Sequence, residues 1–305
     1  MSVRIGIVGV GKIAQDQHIP VINASPDFDL VAAASRHGRI DGGNNYTTLE
    51  EMLGAERLDA VSLCQPPQVR FDAARVAIEA GKHVFLEKPP GATLSEVEIL
   101  RELARTKGVT LFASWHSRYA SGVDTARHWL AGKTLHSVEI EWKEDVRHWH
   151  PGQAWIWEAG GMGVFDPGIN ALSIATAILP PFFLADGTLE VPANRASPIA
   201  ADLHFVTAAG TPVHAAFDWR QTGPQTWDIR VATDAGKLVL SKGGSELSID
   251  GQPHALPPEA EYRGLYDRFA QLIAAGESDV DVSPLRHVAD AQLRAERREV
   301  EAFED

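Results

Sequence analysis

Arg4-Ile5-Gly6-Ile7-Val8-Gly9-Val10-Gly11-Lys12-Ile13-Ala14 is the stretch on which the fold turns. A short apolar run ends in Gly-x-Gly-x-x-Ala, at the point where a strand would give way to a helix. The first glycine permits a tight turn. The second lets the backbone approach a pyrophosphate, and the small third residue lets helix and strand pack closely. The helix start that follows offers unpaired N–H groups to phosphate oxygens. Glycine-rich turns are common, so the motif gains its meaning from what surrounds it.

Outward from this loop, apolar runs recur at 4–8, 30–34, 60–63, 84–86 and 110–113. Segments with helical spacing lie between them. Ala74, Ala77, Ile78 and Gly81 fall three and four apart, and Leu94, Val97, Leu100, Leu103 and Ala104 form one stripe that stops at Lys107-Gly108. Continuous apolar strands alternating with amphipathic helices predict βαβ units around a buried parallel sheet. The expected fold class is α/β, with an N-terminal Rossmann domain over residues 1–118 whose parallel sheet is doubly wound.

Beyond residue 118 the period changes. Val138, Ile140 and Trp142 alternate with Glu139, Glu141 and Lys143, the mark of a half-exposed strand. Similar strands are expected at 201–207, 213–219, 226–232 and 237–240, with helices at 123–130, 259–275 and 284–297. Residues 119–305 therefore read as a C-terminal α+β domain on a large, open, mostly antiparallel sheet.

A chain of 305 residues exceeds the size at which single cores stop growing. Its net charge of −13 argues against nucleic acid or an anionic membrane as the main partner. One cysteine, Cys64, excludes an intrachain disulfide and reads as a small buried hydrophobe. No signal peptide or run of about 18 apolar residues is present, so a cytoplasmic protein is expected.

NAD-specific sites carry Asp or Glu at the end of the second strand, about 20 residues past the glycines. Ser35-Arg36-His37 stands there instead. A hydroxyl and two basic groups suit a 2′-phosphate, which favours NADP slightly and leaves NAD open. Arg36 as a solvated loop residue is the plain alternative. Gln65 and Pro66, after the third run, and Glu87 and Lys88, after the fourth, complete the expected cofactor set with Gly9, Gly11, Lys12 and Ile13.

Two further motifs follow in order. Ala80-Gly81-Lys82-His83-Val84-Phe85-Leu86-Glu87-Lys88-Pro89 closes the fourth strand, and Gly160-Gly161-Met162-Gly163-Val164-Phe165-Asp166-Pro167-Gly168-Ile169-Asn170 lies in the second half. Together with the glycine loop they resemble the glucose–fructose oxidoreductase / inositol 2-dehydrogenase / MocA family over roughly the first 180 residues. Ser114-Trp115-His116-Ser117-Arg118, Trp142-Lys143-Glu144-Asp145 and the segment 165–170 are similar to its bacterial aldose 1-dehydrogenases acting on L-arabinose or D-galactose. The resemblance implies a small neutral sugar as substrate, bound between the domains beside the nicotinamide. It also implies a homo-oligomer, a dimer, formed through the exposed face of the second sheet.

The family's Asp-x-Gly-x-His appears here with Asn170 in place of histidine. An amide cannot exchange a proton near neutral pH as an imidazole does. Asp166 and Lys88 are then the candidates for proton removal. On this reading Asp166 is the general base, Lys88 steadies developing negative charge, and Asn170 binds a substrate hydroxyl. Asp166-Pro167 also fits a helix N-cap followed by proline, a role worth about 1 kcal/mol with no chemistry attached. Four tryptophans within 142–157 supply apolar plates for a sugar ring or simply pack a loop. Trp149, Glu144 and His116 join Lys88, Asp166 and Asn170 as expected substrate contacts. His116, His148 and His150 lack helical spacing and a completing cysteine or carboxylate, so no metal site is expected.

Overall fold

Residues 2–304 are described by a computed structural model. Six short strands, β1 (Val3–Val8), β2 (Phe28–Ala34), β3 (Asn44–Tyr46), β4 (Ala60–Leu63), β5 (His83–Leu86) and β6 (Leu111–Ala113), form one sheet in the order β3-β2-β1-β4-β5-β6. Every pairing in it is parallel. The order reverses between β1 and β4, and that switch point is where open α/β sheets bind ligands. β1, β4, β5 and β6 are buried on both faces over most of their length, which explains their continuous apolar sequence, whereas the edge strand β3 is polar and exposed.

The connecting helices are α1 (Ile19–Ala24), α2 (Leu49–Ala55), α3 (Arg70–Glu79) and α4 (Leu94–Lys107). A π-helical turn, Ala14–His18, precedes α1. Thr48 and Glu51 cap α2 reciprocally, while α4 starts on the Thr93 side chain and ends at Gly108 with φ +67°. A lysine, Lys107, sits in the last turn of α4, where its charge complements the helix dipole.

The second sheet has nine strands. They are β7 (Leu135–Lys143), β8 (Phe182–Pro192), β9 (Ala200–Thr207), β10 (Pro212–Asp218), β11 (Thr226–Thr233), β12 (Gly236–Ser241), β13 (Glu246–Ile249), β14 (Gln252–Pro253) and β15 (Glu296–Val300). Their order is β14-β13-β12-β11-β7-β10-β9-β8-β15, antiparallel except for β10–β7 and β15–β8. Inward residues alternate with exposed polar ones along β9 and β10. Helices α5 (Val123–Leu130), α6 (Val146–Trp149), α7 (Phe165–Ile178) and α9 (Ser283–Arg294) belong with this sheet, and α7 packs against β7, β11, α5 and α9.

Two compact units result: Met1–His116 with Ala260–Val282, and Ser117–Glu259 with Ser283–Asp305. A single boundary near residue 118 does not include the return of the chain at 260–282. That return carries α8 (Glu261–Ala275), whose Tyr266 and Phe269 enter an aromatic cluster with Phe28, Phe85 and Phe112. The last expected helix, 284–297, ends at Arg294, and the charged strand β15 follows. Among the described residues, no helix is long and apolar enough to cross a membrane.

Candidate functional site

In the first unit the loops after β1, β2 and β4 surround a cleft of about 440 Å³. Gly9, Ser35, Arg36, Thr48, Gln65 and Pro66 are among its lining residues. Gly9 has φ +88°, and a Cβ there would lie 2.9 Å from Gln65 Cγ. Only glycine fits. A Cβ on Gly11 would meet nothing within 4 Å, so the backbone beside the helix start stands open to a ligand. Two buried oxygens at this sheet edge, Gln65 Oε1 and Ser114 Oγ, have no hydrogen-bond partner among the described residues. Orphaned buried acceptors are costly, and the polar groups of a bound dinucleotide would satisfy Gln65 Oε1, which lies in the cleft wall. These features fit the cofactor expected from the sequence.

Beneath the loops lies a polar network that the sequence does not announce. Arg70, fully buried at the start of α3, donates to the carbonyl oxygens of Glu87, Pro89 and Gln65. One guanidinium thus ties the turns on both sides of Lys88 to the Gln65 loop. Burial lowers its pKa to about 10 against the pull of Glu87, so it stays charged at neutral pH. The Glu87 carboxylate accepts from Tyr262 Oη at 2.7 Å, the Lys88 backbone N–H at 2.6 Å and His18 Nε2 at 3.2 Å. Burial alone would raise its pKa, but His18, His116 and Tyr262 hold it at about 2. Burial likewise works against a charge on His18, yet Cys64, Tyr266 and Glu87 around it raise its pKa well above 6.5. Its Nδ1 lies 2.7 Å from Tyr266 Oη, which donates to Ser62.

In the second unit Asp166 and Asn170 sit one turn apart at the start of α7. The helix begins at Phe165 with Val164 as its N-cap, and no side chain caps it. Asp166 is therefore not the cap that Asp-Pro suggested. The residue is 7% exposed, and its carboxylate lies 3.5 Å from His150 Nε2. The same imidazole nitrogen is 3.9 Å from Glu144 Oε1. Glu144, itself buried, accepts from Trp219 Nε1 at 3.3 Å and Trp227 Nε1 at 2.9 Å. Trp142 stacks on Trp227, Trp149 tilts against it, and Trp157 meets Trp219 edge-on. Polar groups framed by indole faces are the chemistry that a sugar needs, with hydroxyls on one side and a C–H face on the other.

Residues 3–114 match the family model described as "Oxidoreductase family, NAD-binding Rossmann fold", the GFO/IDH/MocA family. Over 99% of its length the chain is 48% identical to galactose 1-dehydrogenase of Pseudomonas fluorescens, covering 99% of that protein. The chain belongs to the GFO/IDH/MocA oxidoreductase family. Another member, the D-galactose-1-dehydrogenase protein from Rhizobium etli, has a crystal structure that matches at 62% identity and TM-score 0.97, covering 99% of this chain and 98% of that one. KijD10, a 3-ketoreductase from Actinomadura kijaniata in complex with NADP and TDP-benzene, superimposes at TM-score 0.84 over 98% of this chain and all of that one. At 19% identity it speaks for the fold alone.

Within this GFO/IDH/MocA Rossmann fold the expected residues divide. Ser35, Arg36, Gln65 and Pro66 line the cleft with Gly9, whereas His37 is exposed and outside its lining. Lys12 and Ile13 are exposed, with the Lys12 ammonium paired to Asp16. Glu87 turns its carboxylate inward, to His18 and Tyr262. Lys88 follows it, half-buried, in the turn that Arg70 fixes. His116 Nδ1 is 2.5 Å from Glu261 Oε2 and stacks on Tyr262, so α8 holds it from behind. Cys64 is only partly buried. Trp149 is 42% exposed, at the rim of the indole cluster. Sequence reasoning missed Arg70, His18, Tyr262, Trp219 and Trp227, and gave His150 no role beside Asp166. His150 enters that reasoning as a polar residue among the tryptophans of 142–157 and as a metal ligand to be excluded. Arg70 has the local sequence of an ordinary surface arginine at a helix start, and nothing in it signals burial.

Proposed function

We propose that this oxidoreductase oxidises a free aldose, D-galactose or L-arabinose, at the anomeric hydroxyl. The aldose and NAD(P)+ give the sugar lactone, NAD(P)H and a proton. The reading rests on full-length similarity to two galactose dehydrogenases, in a chain that keeps Lys88 and Asp166. The two sugars share their configuration at C2, C3 and C4 of the pyranose ring and differ by a hydroxymethyl group at C5. One set of contacts to the ring hydroxyls therefore serves both.

Bound, the nicotinamide supplies the hydride acceptor. Asp166 accepts the hydroxyl proton, and His150, 3.5 Å away, receives it onward. An imidazole is thus restored beside the aspartate although Asn170 stands where the family's histidine would be. Lys88 orients the reacting hydroxyl and steadies its developing charge. Asn170 and His116 bind ring hydroxyls, and Glu144 keeps Trp219 and Trp227 in place for the C–H face. Ser35 and Arg36, in place of an acidic residue, give NADP a modest preference.

The test is a panel of aldoses with each dinucleotide, followed by reduced-nicotinamide absorbance and by lactone trapping with hydroxylamine. D-Galactose and L-arabinose should turn over with other epimers far behind. Lys88→Ala and Asp166→Ala should each lower kcat by roughly 10²–10⁴-fold. Turnover of polyols in preference to aldoses, or wild-type rates in both variants, ends this assignment.

A further inference from the structure

The solvent face of the second sheet carries a row of charged and imidazole side chains unrelated to the sugar chemistry above. Across four neighbouring strands the register pairs Glu139 of β7 with His214 of β10, His214 with His204 of β9, and His204 with Asp186 of β8. All four therefore project from the same face. Asp202, two residues before His204, joins them because alternate residues of a strand share a face. The imidazole rings lie 5.0 Å apart and 18° from parallel.

The hydrogen bonds of this row follow one rule. His214 Nδ1 is 2.8 Å from Glu139 Oε2, and His204 Nδ1 is 2.8 Å from Asp186 Oδ1. Both Nε2 atoms turn instead to one carboxylate, with His214 at 3.1 Å from Asp202 Oδ2 and His204 at 3.4 Å from Asp202 Oδ1. A neutral imidazole has a single N–H. If the outer carboxylates take it at Nδ1, two Nε2 lone pairs and an anionic oxygen converge on one point. Lone pairs so arranged repel unless a positive charge stands between them. A proton on His214 Nε2 leaves His204 Nε2 still facing Asp202, and two stacked imidazolium ions would repel each other, whereas one divalent cation satisfies all three groups.

We propose that Asp202, His204 and His214 bind a divalent transition-metal ion, zinc by preference, with Glu139 and Asp186 orienting the two imidazoles. Histidine ligands whose second nitrogen is held by a carboxylate are the usual outer arrangement of such sites. Two nitrogens and one oxygen select zinc, nickel or copper over magnesium or calcium, which want oxygen alone. The three ligand atoms lie within 4.8 Å of one another. Tetrahedral bonds of about 2.0–2.2 Å ask for a separation of about 3.3 Å, which a small rotation of exposed side chains supplies. The His204 and Asp202 side chains are 52% and 54% exposed in the single chain, so their ligand atoms are not walled in by its own fold. Three protein ligands leave a fourth position for water or for a group on another molecule.

The test uses untagged full-length protein, stripped with chelator and titrated with zinc chloride by calorimetry. One ion per chain is expected, and His204→Gln with His214→Gln should weaken binding by about 100-fold or more. Glu139→Gln, which touches no metal, should weaken it about tenfold or more by freeing its imidazole. Cobalt in place of zinc should give the visible bands of a tetrahedral centre, absent from the double variant. The glutamines keep the strands polar, and circular dichroism confirms that each variant is folded. Undiminished zinc binding by the double variant, or none by the wild type, overturns the proposal and leaves the row to hold protons alone.

Discussion

The first unit hangs its candidate residues on strand ends: Gly9 after β1, Ser35 after β2, Gln65 after β4 and Glu87-Lys88 after β5. Parallel strands all finish on one edge, so residues remote in sequence meet there with no further instruction. In the second unit Glu144 follows β7, His150 follows α6, Asp166 starts α7, and Trp219 and Trp227 come from the β10 and β11 region. An antiparallel sheet has no common edge, and that group is held by side chains, with Glu144 clasping two indole N–H groups. Chemistry placed by topology leans on few side chains, Arg70 foremost, whereas chemistry placed by side chains leans on each of them.

The largest expected effect probes the side-chain-built group. Asp166→Asn should lower kcat by roughly 10²–10⁴-fold with the sugar KM little changed. His150→Gln should lower kcat less. Equal kcat in His150→Gln and wild type would break the link between the two groups. Next comes the keystone of the edge-built site. Arg70→Ala leaves three buried carbonyls without a donor and should cost about 3–5 kcal/mol in urea unfolding, with a raised cofactor KM. A cost below about 1 kcal/mol would show that the loops hold their own shape.

The buried pair below Lys88 gives a smaller effect with a defined sign. Glu87 has a folded pKa of about 2 against an ordinary 4.5, so its contribution, at most about 3 kcal/mol, is present above pH 4.5 and fades as pH falls toward 2. His18 is shifted upward, so its contribution is complete below pH 6.5 and fades as pH rises through its folded value. Denaturant unfolding of wild type and His18→Gln should differ most near pH 5–6 and converge on both sides. A gap that widens steadily into alkali contradicts the assigned charges. The smallest effect lies at the cleft rim, where Arg36→Ala should reduce the kcat/KM preference for NADP over NAD by about tenfold. An unchanged ratio would make Arg36 a solvated loop residue.

Five strands of the parallel sheet and its glycine loop were legible because buried strands are written as unbroken apolar runs and Gly9 is required at one backbone angle, whereas the polar edge strand β3 was not. Nor was strand β8. Its Asp186-Gly187-Thr188 imitates a turn, but the register slips between Leu184 and Asp186, and a Cβ on Gly187 would meet Asp202 O at 2.8 Å. Ala185 is the bulged residue, and Gly187 marks a close approach of the neighbouring strand's backbone. β15 was hidden for another reason: Glu296-Arg297-Arg298 pairs through backbone at a sheet edge, where charge guards against further pairing. Asp166 was found by motif, whereas its neighbour His150 was legible as a residue type and not as a partner. Nothing in the local sequence brings it to α7. The row Glu139–His214–His204–Asp186 lies still further from one-dimensional reading, since only the cross-strand register assembles it.

The return of residues 260–282 also has a bearing on how the protein is made. Tyr266 and Phe269 fill the middle of the first unit's aromatic cluster, and Tyr262 holds Glu87. During synthesis the glycine-loop half emerges first, yet its core lacks these rings until residues 260–282 have also left the ribosome. The nascent first half must wait, partly open, while the second sheet is translated. A ribosome-stalled chain that exposes residues up to about 250 should therefore be cut by protease within the first 116 residues, and one with residues 260–282 clear of the exit tunnel should resist.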